Sequence, residues 1–154
     1  MEFKVETLPR YQIAYARRVG PYGPVNVQTM EEIKTWAEKS HLLNHSAILF
    51  GIPQDNPNTT PPENCRYDAC IVISADEVQR VASPISMGEL PGGDYMVFTI
   101  KHTTQDVQLA WAELLPTLHT RGYQIEDKPI MERYTGEMLR SEYCEICVPI
   151  TSLK

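Results

Sequence analysis

Tyr143-Cys144-Glu145-Ile146-Cys147-Val148-Pro149-Ile150 sets a single carboxylate in the middle of an otherwise apolar strand. Strand alternation puts Tyr143, Glu145 and Cys147 on one face and Cys144, Ile146, Val148 and Ile150 on the other. The apolar set should meet helices, so Glu145 should look the other way. A lone carboxylate taken out of water costs several kcal/mol unless it is paired, protonated or offered a cation. Glu145 is therefore the residue that a reading of function must explain.

The pattern has an earlier counterpart in Asp68-Ala69-Cys70-Ile71-Val72-Ile73, where an acid is again followed by Cys and branched residues. Upstream of each lies a Leu-Pro turn (Leu8-Pro9 and Leu90-Pro91), then a strand with an aromatic, then a segment of helical spacing. Recurrence of this kind points to a duplicated unit, with pseudo-repeats over roughly 1–75 and 85–151.

Each half resolves into the same order. Phe3 and Val5, then Tyr11, Ile13 and Tyr15, alternate with polar or small residues around the first Leu-Pro bend, which predicts two strands. Gly20-Pro21-Tyr22-Gly23-Pro24 is a shaped loop, and Val27, Met30, Ile33, Trp36 and Ala37 recur at helical spacing behind it. Asn26 and Thr29 are both suitable N-caps for that helix. Ala47 to Ile52 and Arg66 to Ser74 predict two more strands, separated by a Pro- and Asn-rich rim loop over 55–64.

In the second half, Ile85 to Leu90 and Tyr95 to Ile100 repeat the strand pair. Thr103 or Thr104 caps a helix with Val107, Ala110, Trp111, Leu114, Leu115 and Leu118 on its apolar face. Pro116 should kink it and Gly122 should end it. Ile130 to Tyr134 and Tyr143 to Ile150 complete the set. Strand, strand, helix, strand, strand, taken twice, means an α+β fold, with both helices on one face of a curved antiparallel sheet. The length of 154 residues fits one domain over 1–154.

Composition narrows the function. A net charge of −6 argues against direct nucleic-acid binding, which needs a basic stripe to neutralise phosphates. No apolar run is long enough to span a membrane, and Met1-Glu2-Phe3-Lys4 opens in strand-like alternation rather than as a secretory signal, so a cytoplasmic location is expected. Cys65, Cys70, Cys144 and Cys147 invite a metal or redox reading. Residues three apart on a strand point to opposite faces, however, so Cys144 and Cys147 read as packed thiols and neither metal nor cofactor is expected.

The chain resembles the GyrI-like effector-binding domain family, also found as the C-terminal part of Rob-type AraC regulators and of multidrug-sensing MerR-type regulators. The resemblance rests on Leu8-Pro9 with Gly20-Pro21-Tyr22, Phe50-Gly51-Ile52, Arg66-Tyr67-Asp68-Ala69-Cys70, Leu90-Pro91-Gly92-Gly93, Gly122-Tyr123, and Pro129-x-x-Glu132-x-Tyr134 before Glu145-Ile146. It implies duplicated βαββ (SHS2-type) units and a cleft, on the face away from the helices, lined by aromatics with a carboxylate on the last strand. Glu145 matches that carboxylate. Members fused to a DNA-binding domain sense lipophilic, often cationic, compounds. Stand-alone members, which this chain resembles, have been linked to toxin protection, gyrase inhibition or hydrolysis of reactive cyclopropane-bearing compounds.

The implied ligand is a flat lipophilic molecule held by Glu145 and by aromatics drawn from Tyr15, Phe50, Tyr95, Trp111 and Tyr134. The alternative for Glu145 is an internal ion pair with Arg17, Arg66 or Arg133. Asp68 reads as an acid satisfied by Arg66 on its own face. An enzymatic version makes Glu145 a general base on water, with Tyr134 as the first choice for proton donor and Tyr67 and Tyr143 as others. His41, His45, His102 and His119 fall in segments expected to be exposed, which disfavours nucleophilic catalysis. A DNA-binding partner chain or gyrase are the macromolecular partners that the resemblance raises.

Overall fold

The computed structural model describes residues 2–152. Among the described residues, two longer helices and eight of nine strands follow the expected order, β7 being the addition: β1 (Glu2–Leu8), β2 (Tyr11–Val19), α1 (Asn26–Lys39), β3 (Ile48–Pro53), β4 (Arg66–Ile73), β5 (Ser86–Leu90), β6 (Gly93–Lys101), α2 (Thr104–Thr120), β7 (Tyr123–Ile125), β8 (Met131–Thr135) and β9 (Tyr143–Ser152). Short 3-10 turns occur at Pro62–Asn64, Ala75–Arg80 and Met138–Arg140. The fold is α+β, with a curled antiparallel half-barrel sheet.

Strand order across the sheet is β1-β6-β9-β8-β3-β4-β2-β5, with β7 pairing the far end of β9. That order reads the same from either end once β1 is exchanged for β5, β6 for β2, β9 for β4 and β8 for β3. The leading strand of each half crosses over: β1 pairs with β6, and β5 pairs with β2. The two halves meet at the centre through β3 and β8, where Gly51 lies opposite Glu132 and Leu49 opposite Tyr134.

Alternation sorts the sheet residues into two cores. Cys144, Ile146, Val148 and Ile150 of β9 join Leu49, Ala69, Ile71, Met96 and Phe98 under both helices, against Met30, Ile33 and Ala37 of α1 and Ala110, Leu114 and Leu118 of α2. The other face gathers Leu8, Ile13, Phe50, Ile52, Cys70, Tyr95, Val97, Met131 and Cys147. Among the described residues no helix covers that second face; the curl of the sheet brings its own residues together, which removes them from water without a further layer.

Local features agree with the sequence reading at some points and depart from it at others. Helix α1 starts at Asn26 with Val25 as its N-cap and no side-chain cap, and Thr29 is buried inside the helix. Thr103 caps α2, its hydroxyl accepting from the Asp106 amide at 3.1 Å. The helix runs through Pro116 to Thr120, and Gly122, at φ +79°, follows the turn that ends it. Asp68 pairs with Arg17, through contacts of 2.7 and 2.8 Å, and not with Arg66, which pairs with Asp55 at 2.9 Å. Arg17 stands opposite Asp68 in the β2/β4 ladder, and facing residues on adjacent strands come closer than residues two apart on one strand. All four cysteines are buried free thiols, and burial pushes Cys144 and Cys147 up to about 12. Among the described residues, no helix is long and apolar enough to cross a membrane.

Candidate functional site

Glu145 lies on the face away from the helices, as alternation requires, and is buried there. It is 5% exposed, and Arg133, directly opposite on β8, donates from Nε to its Oε1 at 2.9 Å. Arg133 also donates to Glu6 on β1. Burial alone would lower the Arg133 guanidinium; the hydrogen bonds with Glu145 and Glu6 outweigh that and hold it charged. Glu145 is thus the inner member of a buried carboxylate, guanidinium, carboxylate row, the ion-pair alternative with Arg133 as the partner.

The aromatics assigned to Glu145 divide three ways. Tyr15, Phe50 and Tyr95 do share its face, yet Phe50 is 0% and Tyr95 2% exposed, so both are core and do not form open walls. Tyr134 lies on the helix face, since neighbouring residues on β8 point opposite ways and Arg133 takes the Glu145 side. A general base at Glu145 with an acid at Tyr134 is therefore ruled out by the sheet between them. Trp111 is on α2, and its side chain, like those of Val107 and Leu115, lies outside the described residues.

A cleft of about 350 Å³ does open, on the helix face, between α1 and the strand centre. Its walls include Val27 and Met30 of α1, Tyr67 of β4, Glu132 and Tyr134 of β8, and His102 beyond β6. Glu132 and Tyr134 are two residues apart on one strand and so face the same way. The Tyr134 hydroxyl donates to Glu132 Oε2 at 2.7 Å. With its single proton so used, that hydroxyl accepts at its oxygen, and His102 Nε2 stands 3.2 Å from it, the two rings edge to face.

Gly51 makes room for this arrangement. It sits opposite Glu132 across β3/β8 and opposite Ala69 across β3/β4. A Cβ built on it would lie 2.5 Å from the Tyr67 hydroxyl, so Tyr67 reaches over the glycine towards Glu132. Burial, then the Glu132 charge, raises the Tyr67 phenol well above its ordinary range, and the same two causes raise Tyr134. Both therefore stay protonated at neutral pH, as donors facing a carboxylate. Among the described residues, no basic side chain pairs with Glu132; the Lys34 ammonium at the rim goes to Glu31 at 3.3 Å.

Register explains why the two halves differ here. Glu132 faces Ile146 on β9 as Gly51 faces Ala69 on β4, so Glu132 and Gly51 are counterparts in the two pseudo-repeats. One half supplies the carboxylate and the other supplies the space above it. Sequence reading passed over Glu132 and His102 and left Tyr67 as an option. The available signal was the Glu132-x-Tyr134 spacing, which places a carboxylate and a phenol side by side on any strand.

The GyrI-like small molecule binding domain model matches residues 1–151. The chain belongs to the GyrI-like small molecule binding domain family. One relative of this GyrI-like domain is the SPbeta prophage-derived YosT of Bacillus subtilis, named as a candidate transcriptional regulator. It is 40% identical over 97% of this chain and 99% of YosT. A DNA gyrase inhibitor of Cronobacter turicensis is 26% identical over 95% of this chain and 93% of its own length. The EcmrR C-terminal domain superposes with a TM-score of 0.74 at 14% identity, covering 98% of each chain. SAV2435, solved with tetraphenylphosphonium, superposes with a TM-score of 0.57 at 16% identity, over 99% of this chain and 96% of its own. At these identities the two structures establish likeness of fold.

Proposed function

We propose that this GyrI-like domain binds a bulky lipophilic cation in the helix-face cleft, with Glu132 as its counter-charge. The observation that carries the reading is Glu132 itself, oriented by the Tyr134 hydroxyl into a cleft whose other walls include Tyr67, His102, Met30 and Val27, with the Glu31–Lys34 pair among its lining. A cation about 4 Å from a carboxylate gains roughly 4 kcal/mol at an effective dielectric near 20. Aromatic faces add about 2 kcal/mol where the contact is desolvated. Thioether and aliphatic groups around a charge select against small hydrated ions and for bulky apolar ones. The tetraphenylphosphonium held by SAV2435 is a molecule of this kind. Drug or toxin sensing, or sequestration, is the role such binding serves, with a DNA-binding chain as partner where the readout is transcriptional.

Calorimetry with tetraphenylphosphonium and with neutral triphenylphosphine oxide tests this. The cation should bind the wild type, and Glu132→Gln should weaken it by at least about 1.4 kcal/mol, a factor of ten. Glu145→Gln should leave the affinity of the folded protein unchanged. Equal binding of the cation by wild type and Glu132→Gln overturns the proposal. So does a loss confined to Glu145→Gln.

A hydrolytic use of the same cleft has one observation in its favour: the Tyr67 phenol, which covers Gly51, and the Glu132 carboxylate, which stands opposite Gly51, both line it, a donor and a base on one wall. Glu132 would take a proton from water as the water oxygen bonds to the substrate carbon, and Tyr67 would protonate the oxygen or carbon whose bond to that carbon breaks. The proton on Glu132 would then return to the Tyr67 phenolate. Assaying the incubated mixtures for product separates the readings, because turnover lost in both Tyr67→Phe and Glu132→Gln belongs to an enzyme alone.

A further inference from the structure

A second hollow lies on the opposite side of the sheet, and cation binding at Glu132 makes no use of it. It measures about 140 Å³ and opens at the mouth of the half-barrel, where Leu90-Pro91 and Pro129 form the rim. Its floor is Ile52, Tyr95 and Met131, at most 5% exposed and part of the helix-free core. The neighbouring Leu-Pro turns hold the rim in place: a Cβ on Gly92 would lie 2.6 Å from the Leu8 carbonyl oxygen, so the second turn rests directly on the first.

Polar heads stand at that rim in fixed positions. Lys128 Nζ is 3.2 Å from Glu126 and 5.9 Å from the Tyr95 ring centroid, and it sits over Gly93, whose Cβ position would be 2.8 Å away. Gln54 Nε2 donates one proton to Asp68 at 2.9 Å, which leaves its second N–H free to serve the hollow. Among the described residues Glu89 is the acid in the lining and is occupied by Arg10, while Glu126 pairs with Lys128 from outside the lining. An apolar floor with a few convergent polar groups is the usual make-up of a small-molecule site. Here those groups are an ammonium and an amide N–H.

We infer that this hollow is a second ligand site, taking a small hydrophobic monocarboxylate with its ring or branched chain on Ile52, Tyr95 and Met131 and its carboxylate between Lys128 and Gln54. The volume sets the size, since a drug-sized ligand needs at least about 300 Å³. The charge sets the class, opposite to that at Glu132, so the two faces of one sheet recognise ligands of opposite sign.

The test is a titration of the full chain with benzoate and with benzamide, followed by the methyl NMR signals of Met131 on one face and Met30 on the other. Benzoate should shift Met131 saturably while Met30 stays in place, and benzamide should bind at least about tenfold more weakly. Lys128→Met should cost benzoate about the same factor, and Lys128→Arg should restore most of it. A shift at Met30 alone, equal affinity for benzamide, unchanged benzoate binding by Lys128→Met, or no saturable shift at Met131 each overturns the inference. Tetraphenylphosphonium added at the end should still move Met30, which keeps this result separate from the fate of the Glu132 cleft.

Discussion

Glu145 and Glu132 are carboxylates on adjacent strands, and their neighbours give them different work. Arg133 covers the first from directly across the ladder, whereas Tyr134 turns the second towards a cleft. Removing one partner of a buried pair strands the other charge, at about 3–5 kcal/mol. Arg133→Met should therefore lower unfolding free energy in urea by that amount and leave cation affinity of the folded protein intact. The same row makes stability depend on acid. Hydrogen bonding to Arg133 holds Glu6 below its ordinary 4.5, and hydrogen bonding to Arg66 holds Asp55 at about 2, against an ordinary 3.8. Folded values below unfolded ones mean that the unfolded chain binds more protons in acid. The stabilisation is complete above 4.5 and fades as pH falls through the folded values towards 2. Urea titrations over that window should show it, with a shallower slope in Glu6→Gln.

At the scale of elements, β3 and β8 decide where the proposed cation cleft lies. The faces of β9 were legible from alternation alone, and its even-numbered residues do meet the helices. That a cleft opens beside Glu132 was not legible, because it depends on how far α1 stands off the sheet and how tightly the other face curls, and both follow from long-range pairing. Phe50 and Tyr95 look like cleft walls in a linear reading and are core because the curl brings them together. Gly51 carries the opposite lesson, a missing side chain whose value depends on Glu132 across the ladder and Tyr67 above it. Gly51→Ala would set a Cβ 2.5 Å from the Tyr67 hydroxyl, the free end of a side chain, so stability should fall by only about 1 kcal/mol as the ring shifts. Tetraphenylphosphonium affinity should fall about tenfold, because the displaced ring enters the cleft. Gly136→Ala is the contrast: its Cβ would lie 1.9 Å from the Asn44 carbonyl oxygen, backbone that cannot swing aside, and about 3 kcal/mol should be lost.

In strand order the whole molecule reads as one unit taken twice, with halves that exchange their leading strands. The repeat was legible as two acid-Cys strands behind two Leu-Pro turns, but the exchange of leading strands was not, because no local signal says which strand β1 will join. Each half lends its first strand to the other, and the β3/β8 ladder joins them at the centre. A chain cut between Ala82 and Ser83 would leave the first fragment without β6 for its β1, and the second without β2 for its β5. Each fragment alone would also expose one side of its central strand and half of each core, apolar surface and backbone donors that water must then satisfy. Neither fragment should fold by itself, so each should give collapsed amide dispersion and no urea transition. Mixed in equal amounts, they should recover the dispersed spectrum and the cation site, because strands from both fragments form the cleft around Tyr67 and Glu132. A first fragment that folds alone would show that β1 has an alternative place within its own half. The strand exchange would then be an arrangement of two finished domains and not the condition for either.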